Sequence, residues 1–254
     1  MVVVIHGGPG APGEMAPVAD QLSDAYRVLE PWQRGSGDEP LTVARHMADL
    51  HEVIESRCGT ERPALVGSSW GAMLTLAYAA EHPDRAGPLV LIGCGTFDLE
   101  SRSKLQATIA SRIDSRLHQR LDRLEMDASD PDVYLRAMAE LMTPIYSYDP
   151  LPDVHEVVEV DAKAQEETWN DMVRLQAEGV YPKAFSAITS PVLMLHGAYD
   201  PHPGRMILAS LKTYLPQMEY CEWERCGHYP WRERAARELF FETLRDWLRR
   251  HTQH

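Results

Sequence analysis

Short apolar runs rich in Val, Ile and Leu fall at 2–5, 26–29, 64–66, 88–92, 191–195 and 219–223. Between them, at 43–56, 72–81, 205–215 and 235–250, apolar residues return every three or four positions. The first pattern predicts strands covered on both faces, because neither side of the pleat then meets water. The second predicts helices that bury one stripe. Strand and helix in alternation predict an α/β architecture, a mostly parallel sheet flanked by helices. From about 97 to 181 the rhythm changes: no β-like run occurs, charged helical segments dominate, and turns fall at Asp130-Pro131 and Tyr148-Asp149-Pro150-Leu151-Pro152. The expected organisation is one core built from 1–96 and 182–254, with a helical cap, 97–181, inserted between its halves.

Composition narrows the partners. A chain of 254 residues with 44% hydrophobic and 25% charged side chains has the mix of a globular domain. Its formal net charge of -13 and lack of a basic stripe argue against nucleic acid, since phosphate binding works through clustered Lys and Arg. The same charge would suit an acidic pocket for cationic substrates, although solubility accounts for it more simply. Cys58, Cys94, Cys221 and Cys226 form no C-x-x-C pair and have no histidine at zinc-finger spacing, so no structural metal is expected. No segment approaches the ~18 apolar residues of a membrane span. The opening run is too short, and lacks the basic segment, for an export signal. The expectation is a reduced, cytoplasmic protein with no membrane partner.

Gly67-Ser68-Ser69-Trp70-Gly71 has the form G-x-S-x-G, with an expected strand before it and a helix after it. A serine on so sharp a turn takes strained backbone angles, and glycines two positions either side let strand and helix approach. Ser69 is therefore the candidate nucleophile of an α/β-hydrolase elbow; Ser68, one position earlier, would point away from the pocket. A hydroxyl needs a base in reach, and that base needs a partner to fix its tautomer. In this fold the order is Ser, then an acid, then His, each on a loop after a strand. Asp200 follows the run 191–195 and His228 follows the run 219–223, which makes them the expected acid and base. Asp98, after the preceding strand, is the fallback acid. Of the eleven histidines, His46, His51, His82, His118 and His155 have no strand before them and read as surface or core residues; His251 and His254 belong to a polar terminus.

His6-Gly7-Gly8-Pro9-Gly10 directly follows the first run and is too rich in glycine for simple packing. Acyl transfer needs N–H donors preorganised around the carbonyl oxygen, each worth about 3 to 4 kcal/mol. The backbone amides of Gly8 and Trp70 are the expected donors of this oxyanion hole, with Gly7 as the alternative to Gly8. A phosphate loop is excluded by the missing G-K-[ST] and G-x-G-x-x-G spacings.

Together these residues resemble the prolyl aminopeptidase (proline iminopeptidase) branch of the α/β-hydrolase superfamily. His6 to Gly10 looks like that family's oxyanion loop, and Gln33-Arg34-Gly35-Ser36-Gly37 is similar to its second glycine loop. Gly67 to Gly71 with Leu76-Ala77-Tyr78 and His82-Pro83 resembles its elbow and helix, and Gly227-His228 its histidine loop. The chain departs from the branch in three places. Trp32 stands where the family usually has an aspartate. The first strand begins at Met1, with no preceding strand pair, which would bring 2–5 nearer a sheet edge. The cap lacks the tryptophan-rich, glutamate-containing segment with which the family binds a substrate amine; Glu159, Asp161, Glu166, Glu167 and Asp171 are the acids that would have to replace it.

The expected activity is hydrolysis of an ester or amide in a small-molecule or short-peptide substrate through an acyl-enzyme, with no cofactor or metal. A carboxylesterase, lactonase or carbon-carbon bond hydrolase would use the same residues, and a non-catalytic receptor on the same scaffold is the rival from outside the enzymes. An elbow carboxylate, needed by epoxide hydrolases and dehalogenases, is absent. Tyr146, Tyr148, Trp169 and Met172 are the cap residues expected to line the substrate pocket.

Overall fold

Side-chain alternation within the strands decides how the molecule is layered. The computed structural model describes residues 1–10, 12–152 and 159–252. Six strands, β1 (Val2–Ile5), β2 (Val28–Leu29), β3 (Ala64–Ser68), β4 (Leu89–Ile92), β5 (Val192–Gly197) and β6 (Glu219–Trp223), form one parallel sheet in the order β2-β1-β3-β4-β5-β6. Val3, Ile5, Leu65, Leu89, Leu91, Val192 and Met194 enter one apolar cluster. Their neighbours Val2, Val4, Ala64, Val66, Val90, Ile92, Leu193 and Leu195 enter the other. Such period-two segregation requires helices on both faces.

The first face is covered by α2 (Val43–Cys58), α3 (Trp70–Glu81) and α8 (Gly204–Lys212), and the second by α1 (Ala16–Ser23) and α9 (Arg237–Thr252). All six apolar runs became strands. The 26–29 run shortened to two residues because it forms the edge, and β1 lies one strand inside it. At the opposite edge, β6 is only half-buried and Glu219 is exposed, so it is not covered on both sides as the run suggested. Helix α1 was not legible in the pattern: only Val18 and Leu22 are buried along it, a single i,i+4 pair.

Between β4 and β5 the described residues form four α-helices, α4 (Leu99–Arg112), α5 (Ser115–Asp127), α6 (Pro131–Tyr146) and α7 (Ala162–Ala177). Asp98, Asp114, Asp130 and Asp161 begin them, each carboxylate accepting a backbone N–H of the first turn. Packing differs sharply along this insertion. α5 buries no residue and α4 only Ser101, whereas α7 buries Ala164, Thr168 and Met172. Among the described residues, no helix is long and apolar enough to cross a membrane.

Candidate active site

The turn from β3 into α3 is a strained stretch of backbone. Ser69 has φ 51° and ψ -115°, the one positive φ at a non-glycine position among the described residues. Such angles cost of order 1 to 3 kcal/mol and persist only where the surroundings enforce them. The enforcement is visible: the Ser69 N–H donates to the Ile92 carbonyl at 2.8 Å. A Cβ on Gly67 would lie 2.3 Å from the Gly71 carbonyl oxygen, and one on Gly71 would lie 2.2 Å from that of Ile5. Ser69 is half-buried, whereas Ser68 has no exposed surface and its hydroxyl has no partner among the described residues.

The first glycine loop packs on this turn. A Cβ on Gly7 would come within 3.0 Å of the Ser69 Cβ. The Gly7 N–H is already committed, donating to Glu14 Oε1 at 2.7 Å. The amides of Gly8 and Trp70 have no acceptor among the described residues. Three segments are then locked by one side chain that sequence reasoning left without a role. Gln33 donates its backbone N–H to His6 Nε2 (3.0 Å) and its side-chain amide to the His6 carbonyl (2.9 Å), and accepts from the Trp70 indole (2.7 Å). Burial pushes the His6 pKa down, against the pull of its Gly7 bond and Glu14, so the ring stays neutral and can accept at Nε2.

At the carboxyl ends of β5 and β6, Asp200 Oδ2 lies 2.6 Å from His228 Nδ1, both groups buried. Burial would lower the His228 pKa, but the Asp200 charge, their hydrogen bond and Glu14 outweigh it and hold it above 6.5. Burial would likewise raise Asp200, yet His228, His202 and His196 hold its carboxyl well below the usual range. Asp200 Oδ1 accepts the His202 N–H and lies 2.9 Å from His202 Nδ1. The His228 ring rests on Gly93, where a Cβ would be 2.9 Å from its Nδ1. Ile92 therefore holds Ser69 while the next residue, Gly93, holds His228. No hydrogen bond joins Ser69 and His228 among the described residues, as is common before substrate binds.

The loop carrying His228 is clasped from the far side by Glu233, another residue without an obvious sequence signal. Its buried carboxylate accepts from Gly227 N–H (3.0 Å), Tyr148 N–H (2.8 Å) and Asp149 N–H (2.8 Å). The His228 N–H donates to the Tyr146 carbonyl at 2.7 Å, which ties the end of α6 to the histidine loop.

Against this geometry, the alpha/beta hydrolase family model matches residues 2–240. The chain belongs to the alpha/beta hydrolase family. The 2-hydroxymuconate semialdehyde hydrolase of Pseudomonas sp. (strain CF600) is 28% identical over 244 residues, covering 93% of this chain and 83% of that protein. A probable proline iminopeptidase of Streptomyces coelicolor is 39% identical over 108 residues, 37% of this chain and 32% of that protein. A thermophilic esterase from Thermogutta terrifontis shares the fold at a TM-score of 0.68 and 21% identity, covering 98% of this chain and 90% of that one. The two relatives and the structural neighbour just named are hydrolytic enzymes.

The four expected pocket residues of this hydrolase separate. Tyr146 lies edge-on to His228 with ring centroids 5.5 Å apart, and burial, followed by the Asp200 charge, pushes its hydroxyl to about 12. Tyr148 is exposed and packs on Tyr199. Trp169 is 37% exposed on α7. Met172 corrects the expectation, since it has no accessible surface and fills the cluster shared with Tyr181 and Phe185; a buried methionine on a helix packs before it lines. The fallback acid Asp98 caps α4 through the Ser101 N–H and hydroxyl. Three of the cap acids are similarly engaged: Asp161 accepts from Ser36 N–H (2.6 Å), Glu167 from Leu41 N–H (2.9 Å) and Asp171 from Val43 N–H (2.8 Å). They anchor α7 to Ser36 of the second glycine loop and to the segment leading into α2 at Leu41 and Val43, while Glu159 and Glu166 are exposed. His155 lies outside the described residues. The four cysteines are free thiols.

Proposed function

We propose that this hydrolase is a serine hydrolase in which Ser69 attacks an ester or amide carbonyl. His228 Nε2 takes the serine proton, and Asp200 holds Nδ1–H so that Nε2 keeps its lone pair. The Gly8 and Trp70 amides receive the charge that develops on the carbonyl oxygen. His228 then gives the proton to the leaving group, and a water that it activates next cleaves the acyl-enzyme. These steps use side chains and backbone amides alone. The observation that carries the reading is the buried 2.6 Å Asp200–His228 pair sharing Ile92-Gly93 with the strained Ser69 turn. We read 97–181 as a cap over the core 1–96 and 182–254, with Tyr146 as its contribution beside the base.

Within that chemistry, a neutral acyl substrate is favoured over a free peptide amine. An aminopeptidase needs an uncommitted carboxylate over the site to receive the ammonium group. Asp161, Glu167 and Asp171 already accept backbone amides, and the proline iminopeptidase likeness covers only 37% of the chain. The test is turnover of a short-chain aryl ester and a prolyl arylamide by wild type and Ser69→Ala. Ester turnover that drops up to ~10⁶-fold in the variant supports the reading. Arylamide turnover lost in the same way would make it an aminopeptidase, turnover surviving the substitution would remove Ser69 from the chemistry, and no turnover of either ester or amide would favour a receptor.

A further inference from the structure

Asp200 is surrounded in a way that a hydrolase dyad does not need. Its side chain has no exposed surface, and among the described residues its charged partners are imidazoles alone: His228, His202 and His196, with no lysine or arginine in reach. Buried carboxylates are ordinarily matched by a permanent cation or a metal, because desolvating the charge is costly. Two of the imidazoles present the same atom to the same carboxylate. His228 Nδ1 lies 2.6 Å from Oδ2 and His202 Nδ1 lies 2.9 Å from Oδ1. Their rings stack at 4.8 Å between centroids, 21° from parallel, and both Nδ1 atoms face the one carboxylate. The three donor atoms lie within 4.8 Å of one another. His196 is not a competing ligand through Nε2, since that atom is bonded to the His202 carbonyl at 3.0 Å and fixes the backbone that carries His202.

We propose that Asp200, His202 and His228 form an inhibitory site for a divalent transition metal of the zinc class. Two imidazole nitrogens and one carboxylate oxygen are a recurrent donor set for such ions and leave a position for water. Tetrahedral metal bonds of 2.0 to 2.2 Å set donor atoms about 3.3 to 3.6 Å apart, so the 2.6 and 2.9 Å hydrogen-bonded pairs would open by under about 1 Å as the ion replaces their shared protons. Small outward rotations of the stacked rings would bring the two nitrogens together. His202 is partly accessible, which gives the ion an entrance, and the net charge of -13 favours cations near the chain.

The consequence for catalysis follows from proton bookkeeping on one ring. A neutral imidazole carries a single N–H, and an Nδ1 that donates its lone pair to metal must have that proton on Nε2. On His228, Nε2 is the atom that accepts the Ser69 proton in the function proposed above. Metal at Nδ1 therefore holds the base in the wrong tautomer and also displaces its bond to Asp200. This inhibitory half rests on the serine hydrolase reading; the binding half does not.

The experiment separates them. Zn²⁺ binding to the full chain is measured by titration calorimetry for wild type, His202→Asn and His118→Asn, and ester turnover of each is compared with Zn²⁺ and again after a chelator. Asparagine keeps a side-chain N–H for Asp200 but removes the imidazole ligand, and thermal melts verify that each variant is folded. His118 is an exposed histidine on α5 that controls for adventitious binding. The proposal expects one site in wild type and His118→Asn, bound at least ~10-fold more weakly by His202→Asn. It also expects chelator-reversible inhibition that this variant largely loses. Equal Zn²⁺ affinity in wild type and His202→Asn overturns the site. Zn²⁺ binding that depends on His202 but leaves turnover unchanged keeps the site and overturns its inhibitory half, while loss of turnover in Ser69→Ala tests the hydrolase reading separately.

Discussion

The sheet with its loops and the helical insertion α4–α7 were built from the same chain under different constraints. In the sheet half, the inner strands are covered on both faces, and Gly67, Gly71 and Gly93 stand where a Cβ would strike backbone or the His228 ring. In the insertion, helices begin with capping aspartates but bury little; α5 buries nothing. The comparison teaches that the Ser69 turn and the Asp200–His228 pair are held by close packing, whereas the insertion is held by a few polar anchors. Close packing transmits a displacement of one methyl group, and a solvated helix absorbs it.

That contrast can be broken in order of effect. Trp247→Ala, in the cluster under α9, should cost about 3 to 5 kcal/mol in denaturant unfolding, because a large side chain leaves a cavity. A loss below 1 kcal/mol would show that this half is not close-packed. Gly93→Ala should lower ester kcat by about 10²-fold, since the new Cβ would displace the His228 ring and a positive φ of 54° is strained with any side chain. Unchanged kcat with a displaced melting temperature would mean that the ring position is unimportant. On the insertion side, Asp171→Ala orphans the Val43 N–H at the start of α2 and should cost about 1 to 3 kcal/mol, with little change in kcat.

A pH profile sharpens the comparison further. As the proposed base His228 must be neutral to act, and its pKa is raised above 6.5, so the acid limb of kcat/KM should have its midpoint above 6.5. A midpoint at or below 6.5 would mean that Asp200 does not govern the base. Stability follows the opposite sign for the two partners. The raised His228 contributes stability in full below 6.5 and loses it as pH rises through its folded pKa. The depressed Asp200 contributes in full above 3.8 and loses it as pH falls through its own. Between 3.8 and 6.5 both contributions are complete, and melting temperatures on either side report their loss. Smallest of all, Met126→Ala on α5, where the side chain is 76% exposed, should change stability by no more than about 0.5 kcal/mol.

The order of strands and helices was written in the chain, because each buried strand must be apolar over its whole length and each covering helix must repeat its apolar stripe. The G-x-S-x-G turn was written there as well: glycines at 67 and 71 leave a trace that no packing requirement would produce alone. Asp200 and His228 were legible as residues just past strands. Tertiary structure alone decided the rest. Gln33, Glu233 and His202 act by meeting groups distant in sequence or by sharing one carboxylate, and polar residues of their kind carry no periodic signature. Glu159, Asp161, Glu166, Glu167 and Asp171 look alike in a sequence, yet three are bonded to the backbone amides of Ser36, Leu41 and Val43 and two face solvent. A carboxylate's role depends on which N–H folding brings within 3 Å, and the local pattern holds no record of that distance.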